Sequence, residues 1–325
     1  MKRNWVGLCM IVGLTWGSAS GMASAAEREF PSKSIEIICP FGAGGSTSMG
    51  ARIIAGAAGE TLGRPVIVVN KPAGGGSVGG EFVAKAKPDG YTLLAASTST
   101  NGINPAIKKL GYKNSDFEFL GQYAIIPMML VVKSDAPWKS LEEIVAYAKA
   151  HPNELKGSTA GVGASDHFAM VLFNEVAGVK ITYLPFMSAG EEVAAILGGH
   201  AQVGFLDWRA VKGAVEGGKM RVLAQGNDQR LKEFPDIPTF AEKGYPRIKH
   251  YIWQGIAAPA GLPKGVSGKL KEAFSKAFQN KDVVETLSKI GFTPSYQSAE
   301  DFSKFVREEE QKFQRIVRET NMRVE

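Results

Sequence analysis

Apolar residues recur along this chain in two rhythms. Short runs rich in Ile, Val and Leu fall at residues 34–39, 66–70, 91–96, 128–132, 183–185, 202–206, 221–224 and 251–258. Their brevity and the Gly, Pro and Asp residues that bound them predict strands. Between them apolar positions return every three or four residues, over 49–60, 78–86, 166–176, 191–197, 269–279 and 282–290. That spacing predicts helices. Ser140 with Glu143 forms a capping box that opens another, stopped by Pro152, and Ser298 with Asp301 opens a last one. In the last helix Phe302, Phe305, Val306, Phe313, Ile316 and Val317 make one stripe, read as core packing. Strand and helix patterns alternate from end to end, which predicts parallel α/β sheets.

Ligands of open α/β sheets bind beyond the carboxyl ends of the strands. The first strand runs there into Phe41-Gly42-Ala43-Gly44-Gly45-Ser46-Thr47-Ser48, which leads into a helix. Glycine permits positive φ and close approach of a ligand to the backbone, and one of the three hydroxyl residues is expected to be the N-cap. A helix start presents unpaired N–H groups and a partial positive charge, which suits an anion. The polar run Ser97, Thr98, Ser99, Thr100, Asn101 falls at the same edge. More than 100 residues after the first loop, Ser158-Thr159-Ala160-Gly161-Val162-Gly163-Ala164-Ser165 repeats its chemistry and feeds a second helix. His167 sits in that helix's first turn, facing either a ligand or solvent. Asp207 and Trp208 follow a later strand and are placed to line a cleft.

The N-terminus changes the picture of where the protein works. Lys2 and Arg3, an apolar stretch from Trp5 to Trp16 and small residues around Ala23-Ser24-Ala25-Ala26 read as a cleaved secretory signal peptide, residues 1–26. The mature chain is expected to be exported, periplasmic in a bacterium. Losing Lys2 and Arg3 takes the formal charge from +6 to +4, with no block of like charge, which argues against nucleic acid. Cleavage also removes Cys9 and leaves Cys39 without a disulfide partner, read as a small buried hydrophobe. About 300 residues remain, enough for two domains of ordinary size.

Catalytic and cofactor signatures are weak. A P-loop needs a lysine between Lys33 and Lys71, and there is none. Gly74–Gly79 matches G-x-G-x-x-G, but it follows a proline turn and precedes a weak helix. No pair among His151, His167, His200 and His250 has metal-ligand spacing, and no cofactor is expected. No G-x-S-x-G occurs. A Ser46–His167–Asp207 set, or a hydrolase acting through Ser46 or Ser48, ranks below carboxylate binding by two helix starts.

The sequence resembles the extracytoplasmic solute receptors of tripartite tricarboxylate transporters, the Bug-type periplasmic binding proteins. The resemblance rests on an ordered set of short stretches spanning nearly the whole mature chain. These include Phe30-Pro31-Ser32-Lys33-Ser34-Ile35, Pro40–Thr47 with Ala51-Arg52, Val69-Asn70-Lys71-Pro72 with Gly74-Gly75, and Pro88-Asp89-Gly90-Tyr91-Thr92-Leu93. Asn104-Pro105, Leu197-Gly198-Gly199, Pro235-Asp236-Ile237-Pro238-Thr239, Trp253-Gln254-Gly255 and Ala258-Pro259-Ala260-Gly261 continue it. It implies an α/β, two-lobed flytrap of the type II periplasmic-binding-protein class. The first lobe would comprise 27–127 with 250–325 and the second 128–249. A ligand carboxylate would be held between Phe41–Ser48 and Gly161–Ser165. The implied partners are a small-molecule carboxylate and a two-component membrane permease, with the receptor a monomer; a same-fold sensor signalling to a membrane kinase is the alternative.

This chain departs from the family pattern in three places. Ser48 stands where an aspartate is usual, Phe186-Met187 where a Tyr-Lys pair is common, and Leu206 where an aspartate is usual, with Asp207 one place later. Without an acid at Ser48 the first loop offers an ammonium no partner, which points away from an amino-acid ligand. Phe41, Phe186, Trp208 and Trp253 are the expected apolar walls.

Overall fold

A computed structural model describes Met1, residues 29–227, 229–231 and 234–320 of the 325-residue chain. The expected leader lies outside the described residues apart from Met1. The chain begins with β1 (Ile35–Cys39), α1 (Ser46–Leu62), β2 (Val66–Asn70), α2 (Ser77–Ala84) and β3 (Thr92–Ser97). A π-helical turn over Thr98–Ile103 and α3 (Asn104–Ile107) lead into β4 (Phe117–Lys133). Then come α4 (Leu141–Ala150), β5 (Lys156–Thr159), α5 (Ser165–Ala177), β6 (Thr182–Pro185) and α6 (Ala189–Leu197). β7 (Val203–Asp207), α7 (Trp208–Glu216) and β8 (Met220–Gln225) follow. β9 (Tyr251–Pro259), α8 (Lys264–Gln279), α9 (Lys281–Lys289), β10 (Thr293–Gln297) and α10 (Ala299–Thr320) complete the order.

These strands form two sheets joined through β4, one in each lobe. In the first lobe the order is β2-β1-β3-β9-β4, with β1 parallel to both neighbours and β10 against β4. In the second, β6-β5-β7-β4-β8 repeats that plan, with β5 parallel to β6 and β7. Strand β4 changes sheets along its length. Phe117–Pro127 pair with β9, and Met128–Val132 pair with β7. The chain returns beside this crossing, where Gly226 N–H donates to Met128 O at 2.8 Å and His250 N–H donates to Gly226 O at 2.9 Å.

Both faces of each sheet are covered, which is why the strands read as continuous apolar runs. In β1 the side chains of Ile35, Ile37 and Cys39 enter a core shared with α1 and α8, while Ile38 turns to the opposite face with α10. β3 divides likewise, Leu93 and Ala95 to one side and Leu94 and Ala96 to the other. In the second lobe Met128, Leu130 and Val132 of β4 pack with α4 and α5, and Met129 and Val131 with α6 and α7. The stripe of α10 is core, Phe302, Val306 and Phe313 being buried. Cys39 is buried too, and desolvation pushes its thiol up to about 11. Each lobe thus fixes a central strand, β1 or β5, whose following helix starts at the edge facing the other lobe.

Candidate functional site

At the facing edges of the two sheets the starts of α1 and α5 are built alike. Gly45 N–H donates to Gly42 O at 3.0 Å, and Ala164 N–H donates to Gly161 O at 3.0 Å. The N-caps are Gly45 (φ −75°, ψ 157°) and Ala164 (φ −70°, ψ 159°), and neither helix start carries a side-chain cap. The expected hydroxyl cap of α1 is therefore absent, and Ser46, Thr47 and Ser48 form the first helical turn instead. Their N–H groups have no partner within the helix. By contrast α4, α6, α7 and α9 are capped by Ser140, Ser188, Asp207 and Asn280. The second loop needs its glycines for backbone shape, with φ 93° at Gly161 and 88° at Gly163. In the first loop no glycine has positive φ. A Cβ at Gly42 would lie 3.6 Å from Met187 O, an ordinary contact, so the space there does not itself require glycine.

A cleft of about 620 Å³, its open mouth included, separates these loops. Phe41, Gly45, Ser46, Thr47 and Ser97 line it from the first lobe, and Ala164, Ser165 and Asp207 from the second. The remaining sequence-predicted residues lie behind or beside it. Ser48 is buried, and its hydroxyl accepts from Asn70 Nδ2 at 2.9 Å while the same amide donates to Phe41 O at 2.7 Å. Ser48 thus braces the loop rather than lining the cleft. Thr98 Oγ1 accepts from Trp253 N–H at 2.7 Å and anchors β9. Ala43, Gly44, Gly161, Val162 and Gly163 lie outside the lining, Gly163 buried. His167 is turned against Tyr183, with ring centroids 5.1 Å apart, and burial pushes it down to about 4. Trp208 packs on Phe234, Phe186 joins the core under α6, and Trp253 is buried with Nε1 donating to Glu309 at 3.1 Å. The apolar walls are Phe41, Met128, Met187, Phe205, Leu206 and Ile252.

Two hydroxyl groups are held by networks. Tyr123 OH donates to Gln254 Oε1 at 2.7 Å, and Gln254 Nε2 donates to Thr47 Oγ1 at 3.2 Å, leaving the Thr47 hydrogen free for the cleft. Ser165 Oγ lies 2.6 Å from His250 Nε2. Burial first, then the charge of Lys312, pushes His250 down to about 3, so it is a poor base for this serine. Sequence reasoning missed the floor of the second-lobe wall, where Asp166 and Glu192 both line the cleft. The Asp166 carboxylate accepts from Ala160 N–H and is held by the N–H groups of His167 and of its own residue. Glu192 lies against it and is buried.

The rim carries two reciprocal ties between lobes. Arg209 on α7 donates to Gly44 O at 3.1 Å in the first loop. Lys108, just after α3, donates to Val162 O at 2.8 Å in the second loop and to Gly74 O at 3.0 Å. Each glycine loop thus has a carbonyl held by a cation of the opposite lobe. Gly75 also meets the second loop closely, since a Cβ there would fall 2.4 Å from Val162 O. Among the described residues no group of three His, Cys, Asp or Glu is placed to hold a metal ion, and no helix is long and apolar enough to cross a membrane.

Comparison with known proteins agrees with this geometry. Protein BugT of Bordetella pertussis is 30% identical over 99% of both chains. A structure described as a periplasmic transporter superimposes with a TM-score of 0.86 at 31% identity, covering 91% of this chain and 100% of the other. MatC of Rhodopseudomonas palustris, solved with bound malate, superimposes with a TM-score of 0.84 at 29% identity, covering 89% and 100%. Residues 50–322 match the profile of the tripartite tricarboxylate transporter family receptor, and the chain belongs to that family.

Proposed function

We propose that this protein is a periplasmic receptor that captures an organic carboxylate in the cleft between its lobes and delivers it to a two-component permease of the tripartite tricarboxylate type. The observation that carries this reading is the uncapped start of α1 in the cleft wall, with Ser46 and Thr47 almost fully buried beside it. A helix start without a side-chain cap leaves N–H donors and the positive end of the helix dipole for a bound anion. Each hydrogen bond to a charged group nets about 1.5–3 kcal/mol. Four or five of them, with the helix N-terminus, reach the roughly −8 kcal/mol of a micromolar complex after ordering costs. The bound malate of MatC supports the same ligand chemistry. The receptor acts as a monomer and without turnover. Its lobes, 27–127 with 250–325 and 128–249, close about the β4 crossing and the strand pairing at Gly226, and the ligand favours the closed form by touching both.

Calorimetric titration of the mature chain with mono-, di- and tricarboxylates, aromatic acids, amino acids and matched neutral amides tests this. Binding of at least one carboxylate, with no heat from its amide, is expected. Equal binding of the amide, or no binding by any acid, overturns the assignment.

A further inference from the structure

The two helix starts differ in what they leave open. At α1 the first-turn N–H groups face the cleft with no side chain across them. At α5 the Asp166 carboxylate already takes the N–H of Ala160 and lies over those of the first turn. The second helix start is filled by the protein's own anion. Beside it, Glu192 is 1% exposed, lines the cleft, and its Oε2 finds no hydrogen-bond donor among the described residues.

We propose that Asp166 and Glu192 form a receiving site for an ammonium group, so that the cleft takes an amino-carboxylate with its carboxylate at α1 and its amine against the wall made by α5 and α6. This rests on the carboxylate reading above and sharpens it. Among the described residues no lysine or arginine is paired with Asp166 or Glu192. Arg209 is committed to Asp207 and Gly44, and Lys108 to Gly74 and Val162. Burial raises both acids, and the charge of Asp166 and its hydrogen bond with Glu192 raise Glu192 further, while the Ser158 hydroxyl lowers it. One ammonium placed against the two carboxyl groups supplies the donor that Glu192 Oε2 lacks. A second carboxylate on the ligand would instead meet Asp166 and be repelled. The acid missing at Ser48 is thus supplied from the opposite lobe.

The test uses matched pairs on the mature full-length chain: aspartate against succinate, glutamate against glutarate, and phenylalanine against 3-phenylpropionate. In at least one pair the amino member is expected to bind tenfold or more tightly. Glu192→Gln, which keeps shape and burial, is expected to cut that ratio at least threefold while the melting temperature holds. Asp166→Asn is expected to reduce it further, with binding of the amine-free acid retained or improved. Amine-free acids binding as tightly as their partners, or a ratio unchanged in Glu192→Gln, overturns the ammonium site and leaves the carboxylate reading standing. Binding of neither member of any pair overturns both.

Discussion

Replacing Ser46 by proline separates the helix-start donor from everything else at the site. Ser46 is the first residue of α1, after Gly45 at φ −75° and ψ 157°. Proline is favoured at this position, because the N–H it lacks has no helical partner and its fixed φ suits the helix. The extended backbone of Gly45 is what a residue preceding proline requires. The fold therefore has no reason to suffer, and a compatible proline adds about 0.4–1 kcal/mol of stability by restricting the unfolded chain. What the variant loses is one N–H and one hydroxyl. Ser46→Ala loses the hydroxyl alone, so the difference between the two reports the N–H. One hydrogen bond to a carboxylate nets about 1.5–3 kcal/mol, a factor of roughly 10–150 in affinity. Calorimetry with the tightest-binding carboxylate is expected to show Ser46→Pro weaker than Ser46→Ala by that factor, with a melting temperature at least as high. Equal affinities in the two variants would refute the role given to α1.

Three further outcomes follow from contacts across the cleft and from its histidines. Arg209→Ala removes the tie to Gly44 O from a side chain only 12% exposed; small-angle scattering should show a more open liganded form and titration a weaker one, and an unchanged shape and affinity would count against the tie. Gly75→Ala brings a Cβ to 2.4 Å from Val162 O across the lobes, so binding should fall at least tenfold while melting drops only by the roughly 1–2 kcal/mol of an alanine at positive φ; wild-type affinity would show that the closed form described is not the one that binds. His250 and His167 are pushed down to about 3 and about 4 by burial, while in the unfolded chain they titrate near 6.5. Their contribution is therefore complete above about pH 6.5 and is lost as pH falls toward the folded values, by about 2 kcal/mol per histidine between pH 6.5 and 5. Urea denaturation of His250→Asn beside the wild type should show a shallower loss over that range, and parallel slopes would falsify the assignment.

The hydrophobic rhythm carried most of the architecture. β2 lies at 66–70 as expected, and β1, β3 and the helices expected at 166–176, 191–197, 269–279 and 282–290 differ only at their ends, because burial on both faces leaves little ambiguity in an apolar run, whereas α7 and β10 were not expected. The first half of β4 escaped notice because Gly121, Gln122 and Pro127 interrupt the run; two register shifts and Gly121 at φ 136° absorb these breaks. The two glycine loops were legible as helix starts, but their side-chain directions were not. Ser48 has the composition of a cap, yet its hydroxyl is taken by Asn70, a residue 22 positions away. Glu191 and Glu192 are neighbours of one type in the first turn of α6, where the first caps Met187 N–H and the second points inward. A helix turns about 100° per residue, and which of the two acids faces the cleft depends on how α6 packs on β5 and β7. Asp166 was hidden for the same reason, as an acid at a helix start ordinarily faces solvent.

The most direct measurement is a crystal structure of the mature protein with the tightest-binding carboxylate from the titration panel. A carboxylate oxygen within about 3 Å of the Ser46 or Thr47 backbone nitrogen, in the cleft and with both lobes in contact, is the predicted result. A carboxylate bound elsewhere, or one held by side chains alone with the start of α1 facing water, would contradict the account.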